Sequence, residues 1–132
     1  MGKKYWTFQT FKSGLETIFR DYQILSMKYL WGKKDKGAGS GEVWLNVNKS
    51  LKEKGKEISR ASIIFFLNDM VDHDILEYVE ESGKGGYHRI YAPVYDEMGF
   101  REHLAKMLIS KLRRDFPEET KTAIWKLQRG KS

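Results

Sequence analysis

Apolar residues recur at three- and four-residue steps along most of the chain, a pattern typical of helices that bury one face. The clearest case follows Ser59, where Ile63, Phe66, Leu67 and Met70 share a face and the serine hydroxyl can cap the first turn. Similar spacing, interrupted by glycine or proline, predicts helices over about 15–32, 42–54, 60–73 and 96–115, and a last helix that begins at Pro117.

Two short runs of strand-forming residues, 75–81 and 87–92, follow the third helix. The segment between them is rich in glycine, which accepts the positive φ that a hairpin turn requires, and Pro93 ends the second run. The glycine-rich, charged segment 32–41 predicts an exposed loop. The sequence therefore predicts a mostly α protein with a small β-hairpin, in the α+β class.

Composition narrows the functional classes. The chain of 132 residues has no cysteine, which removes disulfides and thiol catalysis, and its net charge of +6 favours an anionic partner. That charge suits both a phosphate backbone and an anionic membrane. No apolar run approaches the ~20 residues of a membrane span. We therefore expect a cytoplasmic protein with no membrane partner.

The order of three helices, a hairpin and further helices is that of a winged helix-turn-helix followed by C-terminal dimerisation helices. The major groove of B-DNA is ~12 Å wide and admits one helix. In this arrangement the first turn of the third helix enters the groove while the hairpin tip lies along the backbone. The order predicts an N-terminal arm (1–14), a winged-helix DNA-binding domain (15–93) and a helical dimerisation region (94–132).

Four segments of the sequence resemble the penicillinase-repressor family, which includes repressors of β-lactamase and methicillin-resistance genes. Met27–Trp31 is similar to the family's Met-Lys-x-apolar-Trp, and Ser59–Val71 to its pattern of small and hydroxyl residues before Leu-Asn-x-apolar-apolar. Tyr91–Pro93 resembles the family's Tyr-x-Pro, and Phe100–Leu104 resembles the start of its dimerisation helices. Together these similarities extend over about 20–128.

The resemblance implies a homodimeric repressor that binds double-stranded DNA at a palindromic operator. The recognition residues would be Arg60, Ser62, Phe65 and Asn68, with Arg60 the best candidate to read a base because arginine pairs bidentately with guanine. The wing contacts would be Lys84, His88 and Arg89. The dimer contacts would lie in the last helices, at Phe100, Leu104, Leu108, Leu112, Ile124 and Trp125.

Three acidic residues depart from the family pattern, since Asp69 and Asp72 stand where relatives often have basic residues and Asp74 where they have glycine. These carboxylates would repel phosphate if they faced it. We therefore expect them at the end of the third helix that points away from DNA.

Other functional classes are less well supported by the sequence. No catalytic set or phosphate-binding loop is recognisable, so we expect no enzyme activity and no cofactor. The three histidines are scattered over different elements, so no metal site is expected. The alternative function is a winged-helix module that binds protein in a transcription or nucleoprotein assembly. Ile64 and Phe65 favour this alternative because they are unusually apolar for a DNA-facing surface.

Overall fold

The computed structural model describes residues 7–83 and 85–130, and the chain divides into two units, Met1–Asp96 and Glu97–Ser132. The described residues are mostly helical and contain a small three-stranded antiparallel sheet, as the predicted α+β class requires. None of the helices in this part of the chain has the length and apolar character needed to cross a membrane.

The first unit alternates helices with the three strands. Its helices are α1 (Asp21–Lys33), α2 (Ser40–Lys52) and α3 (Arg60–Asp72), and its strands are β1 (Ala38–Gly39), β2 (Leu76–Gly83) and β3 (Gly86–Pro93). Strand β3 lies in the middle of the sheet and pairs with both neighbours, so the strand order is β1-β3-β2. Short 3₁₀ segments at Gly14–Thr17 and Lys34–Lys36 precede and follow α1.

The core of this unit lies where the three helices meet the sheet. The predicted stripe of α3 is buried, as are Val43, Val47 and Leu51 of α2, and the helical spacing therefore identified the inward faces correctly. From α1 the core receives Met27 and Leu30, and from the start of β2 it receives Leu76. The core fixes α3 with its opposite face outward.

The prediction of one continuous helix over 15–32 is wrong at its start. The chain forms a 3₁₀ turn at Gly14–Thr17 and becomes extended at Arg20 before α1 begins. The Gln23 side chain accepts a hydrogen bond of 2.8 Å from the Arg20 backbone N–H, which caps α1 at this point. The four-residue spacing of Ile18 to Tyr22 extended the prediction too far, since Ile18 precedes α1, as do the buried Leu15 and Phe19.

The segment 32–41 is also more ordered than predicted, because Ala38 and Gly39 form β1 and pair with Tyr91 and Ile90. Gly37 has a φ of 64°, and a Cβ at this position would lie only 2.4 Å from the Tyr91 carbonyl oxygen. Glycine is therefore required here by both conformation and space. The segment predicted as a loop therefore contains the end of α1, a 3₁₀ turn, a two-residue edge strand paired with β3 and the start of α2.

The second unit is a pair of helices, α4 (Glu97–Asp115) and α5 (Pro117–Gln128), with Phe116 between them. Pro117 occupies the first position of α5, as predicted, where its missing N–H costs no hydrogen bond. The buried Thr120 hydroxyl donates a bond of 3.0 Å to the Leu112 carbonyl. The Phe116 N–H donates to the same carbonyl at 2.7 Å, so Leu112 ties the end of α4 to the start of α5.

Candidate functional site

The outward face of α3 is the first part of the candidate site. Ser59 caps the helix as predicted, since its hydroxyl oxygen accepts a bond of 3.1 Å from the Ser62 N–H. Arg60 is exposed in the first turn, as the proposed orientation requires. Ala61, Ile64 and Phe65 are exposed beside it, and Phe65 presents 60% of its surface to solvent. The first two turns of α3 thus present one cation and three apolar side chains.

A buried amide holds the connection between α2 and α3. The Asn48 side chain accepts a bond of 2.8 Å from the Ile58 N–H and donates one of 3.0 Å to the Ile58 carbonyl. The Trp44 indole N–H donates to the same carbonyl at 2.9 Å. These two residues set where α3 begins, and our sequence analysis missed them. The signal was present, because Asn48 adjoins the apolar stripe of α2 and lies one turn after Trp44.

Arg60 also approaches the start of α2. A Cβ on Gly41 would lie 3.1 Å from one guanidinium nitrogen of Arg60, so the absence of a side chain at Gly41 leaves room for the arginine. The amino-terminal ends of α2 and α3 are therefore neighbours. The amino end of each helix carries a partial positive charge, which favours an anion, and in α3 one of the N–H groups at this end, that of Ser62, is already bonded to Ser59.

Two of the predicted DNA contacts are instead engaged inside the protein. The Asn68 side-chain oxygen accepts bonds from Arg89 at 2.9 Å and from the Tyr91 hydroxyl at 2.6 Å. The Arg89 guanidinium also lies over the Tyr78 ring, 3.9 Å from its centroid. The predictions that Asn68 reads a base and that Arg89 contacts the backbone are therefore not supported by these contacts. Together the four residues attach the β2–β3 hairpin to α3.

Tyr91→Phe tests how much this attachment contributes to stability. The hydroxyl is buried, and burial raises the pKa of the Tyr91 phenol above its usual value despite the nearby Arg89. We expect the variant to lose about 1 kcal/mol of unfolding free energy, the net value of one internal hydrogen bond. Urea denaturation measures this loss. Tyr87→Phe is the matched control because Tyr87 is exposed on the same strand, and equal stability of the two variants would contradict the prediction.

The remaining predicted contacts have different environments. The Ser62 hydroxyl lies 2.9 Å from that of Ser59, so it belongs to the cap of α3. His88 is exposed and alternates with Arg89 along β3, which places it on the other face of the sheet. Lys84 lies outside the described residues. Within the part of the chain that the structure describes, no three His, Asp or Glu side chains are grouped so that they could hold a metal ion.

The segment from α3 to the end of β3 has a net charge opposite in sign to that of the whole chain. Residues 60–93 contain three basic and six acidic side chains, a net charge of −3, whereas residues 1–59 contain twelve basic and six acidic. Some of the lysines are paired, including Lys56 with Asp21 at 3.0 Å. The hydrogen bond from Lys56 holds the pKa of Asp21 below its usual value. The excess positive charge of the first unit therefore lies before α3.

The acidic residues are not spread evenly over α3. Its first turn contains no acid, whereas Asp69 and Asp72 lie in the last turns, and Asp74 follows the helix. The helix macrodipole adds positive charge at the amino end and negative charge at the carboxyl end. An anion is therefore favoured only at the amino-terminal half of α3.

The predicted dimer contacts lie on α4 and α5 with different exposures. Phe100 is fully buried and so offers no surface to a second chain, and Leu104, Leu108 and Ile124 are partly buried. Leu112 and Trp125 are exposed, and Trp125 presents half of its surface. Further apolar side chains that the prediction omitted are also exposed on this unit: Met98, Ile109, Phe116 and Leu127.

Ile124 and Trp125 line a groove on the second unit together with Pro117 and Lys121. The groove and the exposed leucines give this unit an apolar surface of its own.

No protein-family model matches the sequence, and neither a curated protein nor a solved structure matches the chain.

Proposed function

We propose that this protein is a winged-helix transcriptional regulator that binds double-stranded DNA as a homodimer, with α3 in the major groove. The observation that carries the proposal is the topology of the first unit. Its elements follow the order α1-β1-α2-α3-β2-β3, and the sheet order β1-β3-β2 makes β2 and β3 a hairpin beside α3. This is the arrangement expected of a helix-turn-helix with one wing. The sequence resemblance to penicillinase repressors supports the same assignment.

The charge distribution supports one orientation of α3 on DNA. Recognition helices of this class contact base edges with their amino-terminal residues. In α3 that end holds Arg60 and no acid, and the carboxyl end holds Asp69 and Asp72. Insertion by the amino end therefore brings the cation toward the phosphates and keeps the carboxylates away from them. The dimer would place two copies of α3 on successive half-sites.

Salt dependence of binding to a fluorescent random duplex tests the proposal. With about six phosphate contacts over two half-sites, the log–log slope of affinity against salt concentration should be near −5. Anisotropy titrations at two or more salt concentrations measure it. The absence of duplex binding at low salt would contradict DNA binding and would favour the second candidate function.

Arg60→Ala tests the orientation of α3. The variant should bind the random duplex more weakly, with a salt slope shallower by about one, because one cation near the phosphates is lost. Lys106→Ala is the control, since it also removes one positive charge but lies on α4 in the second unit. Equal losses in the two variants would mean that only net charge matters and that α3 is not the inserted helix.

The second candidate function is a protein-binding module in a transcription or nucleoprotein assembly. It is favoured by the apolar side chains of Ile64 and Phe65 on the outward face and by the net charge of −3 over residues 60–93. A partner protein with a basic rim would complement this surface. The two functions differ in their affinity for duplex DNA at low salt, which the titration above measures.

A further inference from the structure

The outward face of α3 is poor in groups that can read bases by hydrogen bonding. Arg60 is the one basic residue of the helix. The Ser62 hydroxyl is bonded to Ser59, and the Asn68 oxygen already accepts two bonds. A bidentate contact with adenine needs that oxygen as an acceptor, so the internal bonds of Asn68 remove this mode of recognition.

The same face is rich in exposed apolar groups. Ala61 and Phe65 lie one helical turn apart, and Ile64 flanks them, all on the side opposite the buried stripe of α3. These side chains are in the first two turns, the part of α3 that carries no acid. Burying them against a surface of matching apolar groups would be favourable, at roughly 25 cal/mol per Å² of apolar area.

We infer that α3 recognises thymine through its 5-methyl group, with Phe65 as the main contact and Ala61 and Ile64 beside it. The inference rests on the proposed function. The thymine methyl is the apolar group that a base edge presents in the major groove, and alanine and phenylalanine side chains are suited to contact it. Ala61, Ile64 and Phe65 together form an apolar patch on α3. Specificity then comes chiefly from contacts between this patch and thymine methyl groups, and Arg60 supplies the polar contact at the end of the patch.

Charge complementarity favours DNA as the occupant of this patch. The patch adjoins Arg60 and the amino ends of α2 and α3, where partial positive charge attracts phosphate. The Asp69 and Asp72 carboxylates lie beyond the patch along the helix and limit how far α3 can enter the groove. The readable bases are therefore those that the first two turns reach.

Replacement of thymine by deoxyuridine tests the inference, because it deletes only the methyl group and keeps the hydrogen-bonding pattern. The probe is a fluorescent duplex selected by the full-length protein from a random pool, with each thymine replaced singly. Each contacted methyl should contribute about fourfold in affinity, the value of one buried methylene-sized group. The wild-type protein should therefore bind one or more of the deoxyuridine probes about fourfold more weakly.

Phe65→Ala provides the decisive comparison. The variant should bind the thymine probe more weakly and should no longer distinguish thymine from deoxyuridine at the position that Phe65 contacts. Its fold should be unaffected, since Phe65 is exposed. Leu45→Ala is the matched control, because Leu45 is an equally exposed apolar residue on α2, and this variant should keep the full discrimination.

The outcomes separate the inference from the proposed function. Tight duplex binding with no loss for any deoxyuridine probe would overturn methyl recognition and leave DNA binding in place. Equal discrimination by wild type and Phe65→Ala would overturn the role of Phe65. No binding to any duplex at low salt would overturn the proposed function itself, and this outcome would point to a protein partner for the patch.

Discussion

Asn48→Ala is expected to lower the free energy of unfolding by about 2 kcal/mol, because it leaves the Ile58 N–H without its partner. The Ile58 carbonyl keeps the bond from Trp44, so the loss is less than that of two unsatisfied groups. Asn48 is only 7% exposed, and water cannot fully replace its amide. For a domain whose total stability is about 5–15 kcal/mol, this loss is large.

The measurement is urea denaturation of the full chain followed by circular dichroism. Asn46→Ala is the matched control, because Asn46 lies on the same helix with an exposed side chain and should change stability little. Asn48→Asp adds a second comparison. A carboxylate can still accept from the Ile58 N–H but repels the carbonyl oxygen, so its stability should also fall well below that of wild type. Wild-type stability in both Asn48 variants would show that the hydrogen bonds between Asn48 and Ile58 contribute little to stability.

The same variant bears on function, because Asn48 and Trp44 fix the point at which α3 begins. If the hydrogen bonds from Asn48 to Ile58 are lost, Arg60 and Phe65 lose their fixed position even while the rest of the unit remains folded. We expect Asn48→Ala to weaken duplex binding at temperatures well below its unfolding transition. In the proposed function, duplex binding would then depend on a buried residue that contacts no ligand.

Local patterns predicted the parts of this fold that depend on local interactions. The helix α3, its serine cap and its buried stripe follow from residues within a few positions of one another. The hairpin follows in the same way, because its two strands are joined by a short glycine-rich turn. The outward face of α3 was therefore predictable as soon as the inward face was identified.

Strand β1 could not be predicted because its partner is distant in sequence. Ala38 and Gly39 carry no strand signal of their own, and they become a strand only by pairing with Tyr91 and Ile90 about fifty residues later. Gly37, which composition assigns to a loop, is instead required by its close approach to the Tyr91 carbonyl. Long-range pairing of this kind depends on the assembled core.

The candidate site could be predicted only in part, because some of its side chains are bound by residues that are distant in sequence. A polar residue on an outward helix face is a reasonable contact for DNA, and nothing near Asn68 in sequence indicates that Arg89 and Tyr91 bind it from β3. The excess of acidic residues over 60–93, in contrast, could have been found by counting charges segment by segment. Net charge over the whole chain concealed a segment, 60–93, whose charge has the opposite sign.

Trp125→Glu is expected to convert the protein to a monomer and to reduce its affinity for a palindromic duplex by about a hundredfold. The exposed half of Trp125 and the exposed Leu112 provide apolar surface that a second copy would bury. A carboxylate buried in such an interface would lose its hydration, a cost that a neighbouring cation such as Lys121 or Arg129 offsets only in part. Because the proposed dimer would hold two copies of α3, loss of pairing would remove the gain in affinity from simultaneous binding, typically 10²–10⁴-fold.

Ala123→Glu is the matched control for this prediction. It adds the same charge to the same helix at an exposed position, and because Ala123 lies two residues before Trp125 it does not share the Trp125 face. Sedimentation equilibrium at micromolar protein should show dimers for wild type and for this control, and monomers for Trp125→Glu.

A wild-type monomer would contradict the homodimer. A dimeric Trp125→Glu would instead move the interface elsewhere, and the apolar surface of the second unit would then need another explanation. Because the substituted side chain is exposed in the single chain, a monomeric, folded variant with weakened affinity and about half of the wild-type salt slope would separate the role of pairing from that of α3.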